Sequence, residues 1–201
     1  MEKIIKQLKK WSSCSEGLEY AINAKDVQTW WDGCDRGDWL LWVCGKLAGD
    51  PGGEARKKLV LAACNCARLA SKYVAKGEDR PRQVIDIAER WATGDSDVSL
   101  EDVRKATDAA YAADAAAYAA ADAAYAAYAA AYAADAADAA DAADAAAYAA
   151  YAADAAAYAA YAADAADAAA SQKNTLKKCA DIVRKYYTWQ EIRDAIYAIS
   201  E

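Results

Sequence analysis

The sequence predicts an all-α protein, a helical bundle that carries a long Ala-, Tyr- and Asp-rich helix or helical hairpin. Three observations predict it. Only two Pro and nine Gly interrupt 201 residues, and all of them precede residue 95. Val, Ile and Thr never alternate with polar residues over a strand-length run. Ala, the best helix former, accounts for 59 residues, 44 of them between Ala109 and Ala170.

The elements can be placed in order from their start and stop signals. Ser15 before EGLEYAIN, Asp26 before VQTWWDG, and Asp79 with Pro81 just inside the next helix are the expected N-caps. Ser99 with Asp102 forms an acidic variant of the capping box. Gly33, Gly37, Gly45, Gly49, the run Asp50-Pro51-Gly52-Gly53, Gly77 and Gly94 are read as turns. The segment Leu59 to Ala70, LVLAACNCARLA, is apolar on nearly every side except at Asn65 and Arg68, which places it in the middle of a bundle. Residues 1–98 are thus expected to form a Trp-rich helical part, 99–171 a low-complexity helical tract, and 172–201 C-terminal helices that pack back on the bundle, all as one domain.

From Asp108 to Ala170 every residue other than Ala is Tyr or Asp, spaced by three or four. Tyr111, Tyr118, Tyr125 and Tyr132 recur every seven residues, the spacing of a packing seam. Asp135, Asp138, Asp141 and Asp144 then run at steps of three and sweep the stripe around the helix axis. One unbroken helix here would be about 96 Å long, against a radius of gyration of about 17 Å for a compact chain of this size. A bend between Ala136 and Ala147, giving two antiparallel helices, is the expected resolution. Ala, Asp and Tyr codons interconvert by single base changes, so slippage of a coding repeat also explains this alphabet.

Charge divides the chain. Lys and Arg number 24 against 31 Asp and Glu, for a formal charge of −7. Ten of those acids lie in the tract, which holds no base, and setting them aside leaves 24 bases against 21 acids. Lys6, Lys9 and Lys10, then Arg56, Lys57 and Lys58, then Lys173, Lys177 and Lys178 read as solvated surface. The acidity is local, so nucleic acid is not a favoured partner. Asp135, Asp138, Asp141 and Asp144 are the candidate acidic face for a protein partner.

The chain contains no His, which removes His-dependent triads and the commonest metal ligand. The six Cys, with no apolar run in MEKIIKQLKKW long enough for a secretion signal, point to a reduced cytoplasmic protein whose thiols act as small hydrophobes. Asp interrupts the Ala tract too often for a membrane span. No metal or cofactor is expected, and no nucleotide loop, nucleophile elbow or zinc-protease motif occurs, so the chain is not read as an enzyme.

Six of seven Trp fall in the first half. Core packing explains most of them. Trp30, Trp31, Trp39 and Trp42 with Arg36, Lys46 and Arg80 form the candidate ligand pocket, since indoles and cations together make recognition surfaces. Asp38, in Arg36-Gly37-Asp38, reads as a capping or first-turn acid.

RGDWLLWVCGKLAGDPG, LVLAACNCARLASKYV, GEDRPRQVIDIAERW, SLEDVRKATDAAYAADAAAYAA and CADIVRKYYTWQEIRDAI occur in this order. Together they resemble the immunity-protein family of bacteria and their phages, over most of the chain from about Cys14 onward. The resemblance implies an all-helical, non-catalytic partner for a toxin or defence component, and it brings no catalytic residue to carry over. Family members often have His where this tract has Tyr or Asp.

The expected function is therefore that of an interaction protein of immunity or counter-defence type, neutralising one protein partner. The alternative is a phage or prophage sponge that holds a nucleotide signal in the Trp and Arg pocket. The third reading is a structural, oligomer-forming helical protein, the Tyr heptads and Ala faces being able to pair between chains.

Overall fold

The computed structural model describes residues 1–73, 77, 79–106 and 165–200, and among these every regular element is a helix. The fold is all-α. α1 (Glu2–Lys10), α2 (Ser15–Asn23), α3 (Val27–Asp32), α4 (Gly37–Leu47) and α5 (Glu54–Ala67) follow one another with short links, and a 3₁₀ turn spans Arg68–Tyr73. α6 (Arg80–Ala92), α7 (residues 100–106), α8 (Ala165–Tyr186) and α9 (Trp189–Ala198) complete the described part. Residue 171, expected as a boundary, falls inside α8. The Tyr heptads and the expected bend at 136–147 lie outside the described residues.

α5 occupies the centre because from Leu59 onward it is apolar on nearly every side, Asn65 excepted. Leu59, Val60, Ala62, Ala63, Cys64, Cys66 and Ala67 are buried, and α4, α6 and α8 pack against it. Small residues let these helices approach closely. Gly37 is the tightest point: a Cβ there would lie 2.4 Å from Cys179 Cβ and 2.5 Å from the Ala180 nitrogen on α8. Gly45, expected in a turn, is instead buried within α4.

Local capping follows the sequence at Asp26 and at Ser99, whereas Asp79 stands at the N-cap of α6 without a side-chain capping bond. Asp26 Oδ1 accepts from the Thr29 amide at 2.7 Å and starts α3. Ser99 and Asp102 exchange bonds in both directions, Ser99 N to Asp102 Oδ2 at 2.8 Å and Asp102 N to Ser99 Oγ at 3.2 Å. α2 differs: its cap is Cys14, whose Sγ accepts from the Gly17 amide at 3.4 Å, and Ser15 is already helical.

The ends of α3 and α8 cap each other. Trp31 Nε1 donates to the Tyr187 carbonyl at 3.0 Å, while Arg184 Nε donates to the Trp31 carbonyl at 3.2 Å and its Nη2 to the Cys34 carbonyl. The Tyr187 hydroxyl donates to the Ala55 carbonyl at 3.2 Å, tying the same junction to α5. A capping box at Thr188 and Glu191 starts α9, and Lys58 pairs with Glu191 at 2.7 Å. Arg56 corrects the expectation of a solvated basic cluster. It is fully buried, donates to the Gly49 carbonyl at 2.8 Å, and burial pulls its guanidinium below its ordinary pKa.

Two outcomes follow for stability. Gly37→Ala should lower the unfolding free energy by about 1–3 kcal/mol, as overpacking against backbone does. Gly52→Ala, where a Cβ meets nothing within 4 Å, should be neutral or slightly stabilising, and chemical denaturation compares the two. The Lys58 ammonium, and then the Thr188 amide, hold the Glu191 carboxyl below its ordinary value of 4.5. A carboxyl that ionises more easily folded than unfolded adds stability above that value and loses it as pH falls through the folded pKa. Glu191→Gln should therefore flatten the decline in melting temperature on the acid side of 4.5.

Candidate functional site

α4 is nearly all interior. Gly37, Asp38, Leu40, Leu41, Val43, Cys44 and Gly45 are buried, which leaves Trp39, Trp42, Lys46 and Leu47 half-buried, the first three as a stripe at i, i+3 and i+7. The spacing puts all three on one face of the helix. α1 and α2 border that face. The Trp11 ring, just after α1, meets Trp42 edge to face with centroids 6.0 Å apart at 85°. Tyr20 on α2 lies 6.0 Å from Trp39, and the first turn of α2 rests on the same indole, a Cβ at Gly17 falling 3.7 Å from Trp39 Cδ2.

Two cations complete the seam. The Arg36 guanidinium carbon lies 4.5 Å from the Trp39 centroid, and Lys46 Nζ lies 5.3 Å from that of Trp42. Cations over indole faces are held by the ring quadrupole. Arg36 also forms a two-point fork with Asp38, Nε to Oδ1 at 2.8 Å and Nη2 to Oδ2. Asp38 is thus a first-turn acid with a dedicated partner, which fixes the guanidinium beside Trp39.

The seven residues proposed for a pocket therefore separate. Arg36, Trp39, Trp42 and Lys46 come together on the α4 seam. Trp30 and Trp31 do not: they are 4% and 0% exposed and belong to the core, with centroids 6.0 Å apart. The physical reason is α3, which turns Val27, Trp30 and Trp31 inward together, Trp31 being the residue that caps α8. The Arg80 side chain and Asp135, Asp138, Asp141 and Asp144 lie outside the described residues. Trp11 and Tyr20 were not picked out for the site. Trp11 could have been, as an indole next to a corner between two helices.

The corner above the seam has unusual geometry. Ser12 sits in the left-handed region at φ 57, and Ser13 Oγ is buried without a hydrogen-bond partner. Cys14 is exposed, whereas Cys34, Cys44, Cys64, Cys66 and Cys179 are buried. Burial pushes the Cys34 thiol up to about 11 and raises those of Cys44 and Cys64 as well. Cys66 is raised first by its hydrogen bond with Cys179 and then by burial. These groups remain protonated at neutral pH and are poor nucleophiles.

A thiol reagent at about pH 8 should accordingly modify Cys14 alone in the folded chain, and all six thiols after denaturation. Rapid native labelling of a second cysteine, read by peptide mass, would contradict this packing. No family model matches the chain, and neither a curated protein nor a solved structure matches it.

Proposed function

We propose that the chain is a non-catalytic interaction protein of immunity or counter-defence type, working in the cytoplasm by binding and neutralising a toxin or defence component. The observation that carries this reading is the α4 seam. Indoles and an arginine, partly shielded and held in place by neighbours, are the residue types that dominate binding energy at protein interfaces. Trp39 and Trp42 are fixed by Tyr20, Gly17 and Trp11, so little side-chain entropy remains to be lost on docking. The resemblance in segment order to immunity proteins gives the biological direction.

The seam suits a protein better than a nucleotide. A phosphate-binding arginine offers its planar fork to the ligand, and the Arg36 fork engages Asp38. A stacking platform offers an open ring face, and the rings here already meet Arg36, Tyr20, Trp11 and Lys46. The acidic face at Asp135 to Asp144 belongs to the same proposal as a second contact.

The test is affinity purification from the native host with wild type, Trp42→Ala and Lys46→Ala, each checked for unchanged helicity. One protein should co-purify stoichiometrically with wild type, and Trp42→Ala should reduce its retention by about tenfold or more, as loss of a hot-spot indole does. A nucleotide released on heating the purified protein would overturn this reading in favour of sequestration. Retention that ignores both substitutions would remove the seam from it.

A further inference from the structure

α1 carries a second surface on the face opposite its core contacts. Ile4, Gln7 and Leu8 are buried, and Ile5 packs on the core, while Lys3, Lys6, Lys9 and Lys10 are exposed. At about 100° per residue the four lysines share an arc of about 120°, in which exposed Glu2 is the one acid of the helix. Among the described residues none of the four takes part in an ion pair; Lys3 Nζ lies 5.0 Å from the Tyr197 centroid.

This concentration of charge works against the helix. Lys3 with Lys6, Lys6 with Lys9, and Lys6 with Lys10 are like charges at i, i+3 or i, i+4, a destabilising arrangement. The helix dipole compensates cations in the last turn, Lys9 and Lys10, but not Lys3 or Lys6. Glu2 stands four residues before Lys6, a favourable spacing, but three like-charge spacings outnumber it, so local stability gives no reason for the whole stripe.

We infer that the Lys3, Lys6 and Lys10 stripe of α1, with Lys9 beside it, docks a carboxylate-rich helix of a protein partner. Acidic side chains at i, i+3 and i+7 on a facing helix repeat at the spacing of the three lysines, and helices that cross about 8–10 Å apart bring two such stripes within pairing reach. Other anions fit less well. α1 holds no arginine to fork onto phosphates, and the indoles at its end are engaged, Trp11 edge to face with Trp42 and Lys46 over Trp42, where a base would stack. Its apolar residues are spent on the core, so it offers no apolar face to a bilayer. The inference rests on the reading of the chain as an interaction protein and names the chemistry of its partner.

The probe is poly-L-glutamate, whose binding to the full chain is measured at about 50 mM and about 300 mM NaCl, beside oligo(dT) and vesicles of phosphatidylcholine with about one quarter phosphatidylserine. Wild type should prefer poly-L-glutamate, with affinity falling about tenfold or more across the salt range. Lys6→Glu with Lys10→Glu should abolish that binding, and Lys6→Gln with Lys10→Gln should weaken it, with melting temperature unchanged or raised because like charges are removed. No binding by wild type, or binding that survives charge reversal, overturns the inference. Lysine-dependent preference for oligo(dT) or for the vesicles overturns it too and reassigns the surface. Partner retention through Trp42 is a separate readout: if it persists while poly-L-glutamate fails, the interaction protein stands and the acidic partner falls.

Discussion

The reciprocal cap between α3 and α8 is the interaction on which the rest of the structure depends. A helix ends with carbonyls that have no partner within it. Here each helix supplies the other's missing donor: the Trp31 indole to the Tyr187 carbonyl, and the Arg184 guanidinium to the carbonyls of Trp31 and Cys34. These partners are 150 to 156 residues apart in sequence, so one junction closes the described fold end to end. Three further contacts reach it. Tyr187 donates to Ala55, Asn65 donates to the Tyr186 hydroxyl, and Lys58 holds Glu191 at the start of α9. α9 in turn packs on α1, α3 and α4, so the junction sets where the surface helices lie.

Close helix packing does the remaining work, and it explains the cysteines. Gly37 brings α4 onto α8, and Cys66 Sγ approaches the Cys179 carbonyl at 3.8 Å. A thiol is about the size needed where leucine would push the helices apart and alanine would leave a gap. The same burial that makes Cys34, Cys44 and Cys64 useful for packing raises their pKa, which makes them poor nucleophiles. Structure and chemistry here select against each other: five cysteines are committed to the interior, and Cys14 is the exposed thiol.

Much of this architecture was legible because it is local. The all-round apolar LVLAACNCARLA segment announces a central helix, and Asp26 and the Ser99 and Asp102 pair cap where short-range geometry demands. What was not legible depends on long-range partners. Nothing in Arg56-Lys57-Lys58 tells the first cation to turn inward, because its acceptor is the carbonyl of Gly49 in a turn whose position only the fold fixes. Trp30 and Trp31 differ from Trp39 and Trp42 for a related reason. All four sit on short helices, but α3 must bury its pair to reach α8, whereas α4 has so many interior contacts that its indoles occupy the one stripe left over. The Cys14 cap displaced Ser15 because a thiol at the right backbone angle accepts from Gly17 well enough to start the helix one residue earlier.

The seam and the lysine stripe are not independent surfaces, because α1 belongs to both. Trp11 anchors the end of α1 against Trp42, and α2 and α9 hold its apolar face, so the lysines stand on a helix fixed from three sides. A fixed array of charges concentrates its field on one direction of approach and raises the rate of encounter, while buried aromatic contacts govern how long a complex lasts. In the proposed interaction the two chemistries divide one task along a single element: charge on the outer arc of α1 selects and steers an acidic partner, and the indoles at its end retain it.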